Sequence, residues 1–237
     1  MKVLAVLVAP GMLADGATVD LEDAERHHLK VRRVEGEAEV LVFDGVGNVA
    51  RGIVTSRGDG VAVGVVQWVP PPAETVFAVG AGDKDRFLVL AERCTELGVT
   101  RLVPLLTERS QAVDSRFRDV ALDKARRRAR EACKQSENAW ATVVAESCPL
   151  AEVSVRHPGL RWLLGHVGGN VCPAVARGDA VGWIIGPEGG LAADEVRFAF
   201  EALGATPVGL GRAVLRFDTA AVAAAAITQD RRAATKG

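Results

Sequence analysis

The stretch Trp183-Ile184-Ile185-Gly186-Pro187-Glu188-Gly189-Gly190-Leu191-Ala192-Ala193-Asp194-Glu195 sets an apolar run against bare or rigid backbone and then against a helix start. The apolar run reads as a buried strand. Asp194 and Glu195 suit the positive end of the helix that follows, although Ala192 supplies no hydroxyl for the other half of a capping box. Strand, glycine loop and helix in that order form the repeating unit of a parallel sheet covered on both faces. Two further strand ends carry glycine in the same way, LLGHVGG at 163–169 and VGLGRAVLR at 208–216. Ligands of such sheets lie beyond the carboxyl ends of the strands. Glycine there either exposes backbone N–H and C=O groups to a ligand or simply makes a tight turn.

Working outward, TVFAVGAG (75–82) and VTRLVPLL (99–106) read as strands, with an amphipathic helix between them over 83–98 that ends in glycine. A basic helix follows, then strands near ATVVA, LRWLLG and VGWIIG, a helix from Leu191 to Leu203, the strand TPVGL and a final alanine-rich helix. The amino-terminal part has another rhythm. Short valine-rich runs broken by DG, GxGN and GDG recur at hairpin-like intervals, which indicates a small curled β domain. VPPPAE cannot continue a sheet and favours an extended spacer. The expected organisation is a β domain over 1–68, a Pro-rich linker over 69–75 and an α/β domain with a mostly parallel sheet over 76–237.

The composition narrows the function. With 237 residues and 49% hydrophobic content, the chain can fill a sizeable core. Cys94, Cys133, Cys148 and Cys172 are widely spaced and form neither a zinc motif nor a disulfide framework, so buried free thiols in a reducing cytoplasm are expected and no metal is. The opening MKVLAVLVAP stops at Pro10-Gly11, too short for a signal or a span, and no membrane partner is expected. A net charge of −1 argues against coating nucleic acid by bulk charge. Yet between Arg116 and Lys134 eight cations (Arg116, Arg118, Lys124, Arg126, Arg127, Arg128, Arg130, Lys134) face only three acids. Such an excess can neutralise phosphates, or it can be a solvated helix face.

No Walker-type loop occurs and no GxGxxG opens a helix after the first strand, so neither a triphosphate nor a dinucleotide pocket is supported. GPEGG before an acidic helix start, then LGxxVLR-x-[DE]-TA, resembles the SPOUT class of RNA methyltransferases. HHLKVRR-x-x-x-G (27–36), K-x-DR…ELGV (84–99), PLLTERS (104–110) and EACKQS (131–136) narrow the resemblance to the family that methylates N3 of a uridine in small-subunit (16S) ribosomal RNA. The resemblance implies a PUA-like β-barrel domain that docks RNA, then a catalytic α/β domain tied into a trefoil knot. It implies S-adenosylmethionine held in the knotted loops, a homodimer packed through the knot region, and ribosomal RNA or the small ribosomal subunit as partner. Carried over by motif, the cofactor contacts are Leu164, Gly165, Gly186, Pro187, Glu188, Gly189, Gly190, Leu210, Gly211, Val214 and Leu215. A side chain added at Gly189 is expected to occupy the ligand's space.

The implied chemistry needs in-line placement of donor and nucleophile, and loss or stabilisation of the N3 proton. Arg216 is the choice for stabilising the anion, with a phosphate clamp or an ion pair to Asp218 as its other reading. Asp218, Glu188 and His166 are the base candidates. Asp218 also reads foremost as the N-cap of the last helix, and Glu188 as a partner for donors of its own turn. RNA contacts are expected at Arg26, Lys30, Arg32, Arg33, Lys84, Arg86, Arg126 and Arg130. Asn138, Thr142, Ala213 and Phe217 depart from the family pattern. They keep open a SPOUT enzyme with another RNA target, or a non-catalytic RNA-binding or assembly factor.

Overall fold

The computed structural model describes residues 4–34, 37–110 and 119–234. The chain divides into one unit of Met1–Pro71 with Arg130–Ala141, and a second of Pro72–Ala129 with Thr142–Gly237.

In the first unit the valine-rich runs become strands β1 (Leu4–Leu7), β2 (Thr18–Asp20), β3 (Glu39–Phe43), β4 (Asn48–Val54) and β5 (Gly60–Trp68). Their order is β1-β3-β4-β5-β2, with β1 parallel to β3 and the remaining pairs antiparallel. Burial alternates along β4, the period-2 pattern of a sheet with one face on a core. Val6, Val19, Val40, Val42 and Val61 fill that core together with Leu29. Leu29 belongs to helix α1 (Asp23–Val31), which the hairpin rhythm of the sequence does not announce. Its end is closed by Val34 N–H donating to Leu29 O and Arg33 N–H to Lys30 O, both at 3.0 Å, with Arg33 in the left-handed region at φ 51°. The segment 130–141 joins this unit through backbone bonds from Ala141 to Gly45 O and from Gly47 to Ala139 O, 2.9 Å each.

The second unit holds β6 (Thr75–Val79), β7 (Arg101–Pro104), β8 (Val143–Val144), β9 (Arg161–Asn170), β10 (Val181–Ile185) and β11 (Thr206–Val208). They lie in the order β11-β9-β10-β6-β7-β8, every pair parallel. Every residue of β6 and β10 is buried, as a sheet with both faces covered requires. The helices are α2 (Lys84–Glu96), α3 (Asp119–Ser136), of which the residues from Arg130 on belong to the first unit, α4 (Leu150–Arg156), α5 (Ala193–Arg197) and α6 (Phe217–Ala234). The helix expected over 191–203 is α5 prolonged by a π turn at Phe198–Ala202. In α6 the buried positions Phe217, Ala220, Ala221, Ala224, Ala225 and Thr228 form one stripe, small enough to let the helix approach the sheet closely. Trp183 is fully buried, and its indole N–H reaches Thr228 Oγ1 at 2.9 Å. Arg232, six-hundredths exposed, donates to Thr75 Oγ1 at 2.6 Å and to the Asp179 carbonyl at 2.7 Å, fixing the far end of α6.

All four cysteines are buried free thiols. Burial pushes Cys133 up to about 12 and raises the other three, so none is a thiolate at neutral pH. Among the described residues no helix is long and apolar enough to cross a membrane.

Candidate functional site

Three strand ends of the second unit meet around a cavity of about 300 Å³. Leu164 to Val167 come from β9. Ile185 to Glu188, Gly190 and Leu191 follow β10, and Leu210, Gly211, Ala213, Val214 and Leu215 follow β11. The loop after β10 is shaped by its neighbours. Gly80 N–H donates to Ile185 O at 2.8 Å, and a Cβ on Gly80 would stand 2.5 Å from Pro187 Cδ, so only glycine lets β6 and this loop meet. Gly190 turns the chain at φ 72°, where other side chains are strained. β9 makes its own excursion: Leu164 pairs with Pro207 but the next paired residue, Val208, lies opposite Asn170, leaving 165–169 free to form wall.

Of the cofactor residues expected from the motifs, all but Gly189 line the cavity. A Cβ on Gly189 would instead meet Arg109 Cβ at 3.5 Å, so a valine there presses on Arg109 rather than filling the cavity. Among the described residues the wall contains two ionisable side chains, His166 and Glu188, and neither lysine nor arginine. The Glu188 carboxylate lies over Gly82, close to where a Cβ on that residue would stand. The exposed His166 ring stands 6.5 Å from Phe200.

Arg216 and Asp218 flank the wall without lining it. Arg216 is exposed and, among the described residues, has no ion-pair partner. Its carbonyl accepts the first helical bond of α6, from Ala220 N–H at 2.8 Å, so Arg216 and not Asp218 occupies the N-cap position. Asp218 lies two residues past the N-cap, within the first turn. Its Oδ2 accepts from Arg86 at 3.3 Å, while Oδ1 is buried without a partner among the described residues. The ion pair of Asp218 is therefore with Arg86, on α2, and not with Arg216.

The basic helix is α3. Arg116 and Arg118 lie outside the described residues. Arg126 is held by Val144 O at 3.1 Å, Asp123 at 3.0 Å and Glu146 at 2.5 Å, whose carboxylate keeps the guanidinium above its ordinary range. Arg130 donates to Val8 O at 2.8 Å. Lys134 is buried against Glu25 and Glu131. Burial alone would lower the Lys134 ammonium, but those two carboxylates outweigh it and raise it; burial also lifts Glu25 above the usual carboxylate range. Arg128 faces Glu92 at 3.8 Å. Lys124 and Arg127 are exposed with no partner among the described residues, and the sequence reading did not single them out as contacts. Of the other expected RNA contacts, Arg26 pairs with Asp23 at 2.6 Å, whereas Lys30, Arg32 and Arg33 stand exposed at the end of α1 and Lys84 is half-buried in the first turn of α2. Gly36, which closes the HHLKVRR block, lies outside the described residues.

The four departures from the family pattern each have a local setting. Phe217 is a core residue, 1% exposed. Thr142 is buried and donates to Val99 O at 2.6 Å. Asn138 Oδ1 accepts from Trp140 N–H at 3.1 Å. Ala213 lines the cavity, where a smaller side chain leaves room.

Comparison with known proteins agrees with this geometry. An RNA methyltransferase domain family matches residues 69–229, and an RNA methyltransferase PUA domain family matches residues 21–65. The ribosomal RNA small subunit methyltransferase E of Mycobacterium bovis is 33% identical over 93% of this chain and 90% of its own. The protein of that name from Synechocystis is 30% identical, over 93% of this chain and 75% of its own. Among solved structures, a ribosomal RNA small subunit methyltransferase E from Neisseria gonorrhoeae bound to S-adenosyl methionine superposes with a TM-score of 0.83, at 26% identity and 98% coverage of each chain.

Proposed function

This chain belongs to the RNA methyltransferase family that includes the ribosomal RNA small subunit methyltransferases E, and from that membership we propose that it transfers a methyl group from S-adenosylmethionine to N3 of a uridine in small-subunit ribosomal RNA. The observation that carries the proposal is the cavity at the three strand ends. Among the described residues its wall has backbone and aliphatic side chains to enclose a nucleoside, one carboxylate, Glu188, one imidazole, His166, and neither lysine nor arginine. That charge pattern suits a sulfonium ligand and opposes a polyphosphate. When bound, the cofactor supplies an electrophilic methyl group.

The chain's own residues do the remainder. Leu164, Gly165, Gly186 to Glu188, Gly190, Leu210, Gly211, Val214 and Leu215 bind and orient the donor. Uridine N3 carries a proton at neutral pH, and two groups at the start of α6 are suited to its removal. Asp218, with one buried oxygen lacking a partner among the described residues, accepts the proton. Arg216, exposed and without an acidic partner among the described residues, offers two donors to the carbonyl oxygens on which the anion's charge collects. Lys30, Arg32 and Arg33 in the first unit, and Lys84, Lys124 and Arg127 in the second, bind RNA phosphates. Phe217 owes its identity to the core, so it gives no reason to read the chain as a non-catalytic factor.

A trefoil knot is part of the proposal, supported by the close crossing of the 165–170 segment with the one after β11: Gly209 N–H donates to Asn170 O at 2.9 Å, and a Cβ on Gly169 would stand 2.6 Å from Val208 C. We place the RNA-docking domain at 1–68, the linker at 69–75 and the catalytic domain at 76–237, in a cytoplasmic homodimer. Mass spectrometry of ribosomal RNA from a strain lacking the gene tests the reaction. Loss of N3-methyluridine from small-subunit RNA is expected, with recovery on complementation; an unchanged level would overturn the proposal.

A further inference from the structure

The loop that carries the Gly186 to Gly190 wall is gripped from outside the cavity by residues that the reaction does not use. After β7 the chain forms a short 3-10 turn, Glu108–Ser110. From it Arg109 Nη1 donates to Gly189 O at 2.7 Å, while the stem of the same side chain covers the position of a Gly189 Cβ, at 3.5 Å from Cβ and 3.7 Å from Cδ. A second grip lies three to six residues further on. Glu195 Oε2 accepts from Ala192 N–H at 2.7 Å, and its Oε1 accepts from Glu108 N–H at 2.9 Å. One carboxylate thus ties the far end of the loop both to α5 and to the Arg109 turn. Two residues adjacent in sequence, Arg109 and Glu108, hold the middle of the loop at Gly189 and, through Glu195, its far end at Ala192; Gly189 and Gly190 offer no side chains of their own with which to pack.

We propose that Arg109 and Glu195 are positioning residues that brace residues 186–192 against the 108–110 turn and so set the affinity for S-adenosylmethionine without touching it. Binding to a loop already ordered avoids the entropy of ordering it, so removing the brace weakens the ligand through the loop. The inference rests on the cofactor reading of the cavity.

Two measurements on the full-length protein test it. In hydrogen exchange without ligand, Arg109→Ala is expected to speed exchange in 186–192 while leaving β6 and β10 unchanged; unchanged exchange in that loop overturns the brace. In titration calorimetry, Arg109→Ala and Glu195→Ala are each expected to weaken S-adenosylmethionine by about tenfold, the loss typical of a hydrogen bond to a charged group. Arg109→Lys, which keeps a donor, is expected to recover part of it. 5′-Methylthioadenosine, which lacks the amino-acid carboxylate, separates bracing from contact. Equal weakening of both ligands supports the brace, whereas loss for S-adenosylmethionine alone means that Arg109 binds the carboxylate and overturns it. Failure of the wild-type protein to bind either ligand refutes the cofactor reading, and the exchange experiment still decides the brace.

Discussion

Gly211 and Gly189 are both glycines of cofactor motifs, yet only Gly211 faces open space within the cavity wall. A Cβ on Gly211 has no atom within 4 Å, and its backbone is not in the left-handed region. Gly211→Leu is therefore expected to occupy the cavity without disturbing the fold, reducing S-adenosylmethionine affinity at least about 100-fold by calorimetry, the scale of a few kcal/mol for a lost steric fit. Wild-type affinity at an unchanged melting temperature would exclude Gly211 from the site. The motif named both glycines equally, because a sequence pattern carries no side-chain direction. The same holds for Asp218, whose residue type suits a cap but whose place lies inside the helix, where its partner comes from Arg86.

At the scale of elements, α3 is where the sequence signal and the structure part most. Its cations suggested a phosphate-binding face, but Arg126 and Arg130 are consumed by acceptors within their own units, and Lys134 is buried between two carboxylates. Charge counting sees the excess and not its partners, because Glu146 and Glu25 lie far away in sequence. Arg127→Ala is expected to lower RNA affinity and reduce the salt slope of binding by about one, with stability unchanged. Arg126→Ala is expected to lower the melting temperature and leave the salt slope intact, since it strands Glu146 and the Val144 carbonyl. Filter binding across a salt series and thermal melting distinguish the two, and equal salt slopes in both variants would return α3 to a purely structural role. By contrast the body of α6 was legible, because an alanine-rich run without glycine or proline favours a helix, and its buried stripe follows the helical period.

For the whole molecule, the rim of the cavity supplies a test of assembly. Val167 and Val214 both line it, yet they are 61% and 79% exposed. Apolar side chains so open beside a binding cavity suit cover by a second copy of the chain. Sedimentation equilibrium is expected to give a dimer, and Val167→Asp to give a folded monomer with weakened cofactor binding; a wild-type monomer would remove the dimer from the proposal. The parallel α/β architecture, the curled amino-terminal sheet and the three glycine-bearing strand ends around the cavity followed from the sequence alone, because burial on both faces writes continuous apolar runs and strand ends write glycine. The family resemblance added the chemistry through motifs, each a local string. Only the tertiary structure decided that 130–141 joins the first unit, that β9 swings out over 165–169 before pairing again at Asn170, that Arg86 holds Asp218, and that Arg109 holds Gly189. Each of these is a contact between residues far apart in the chain, and no local periodicity or propensity encodes which distant donor will meet which acceptor once the strands are packed.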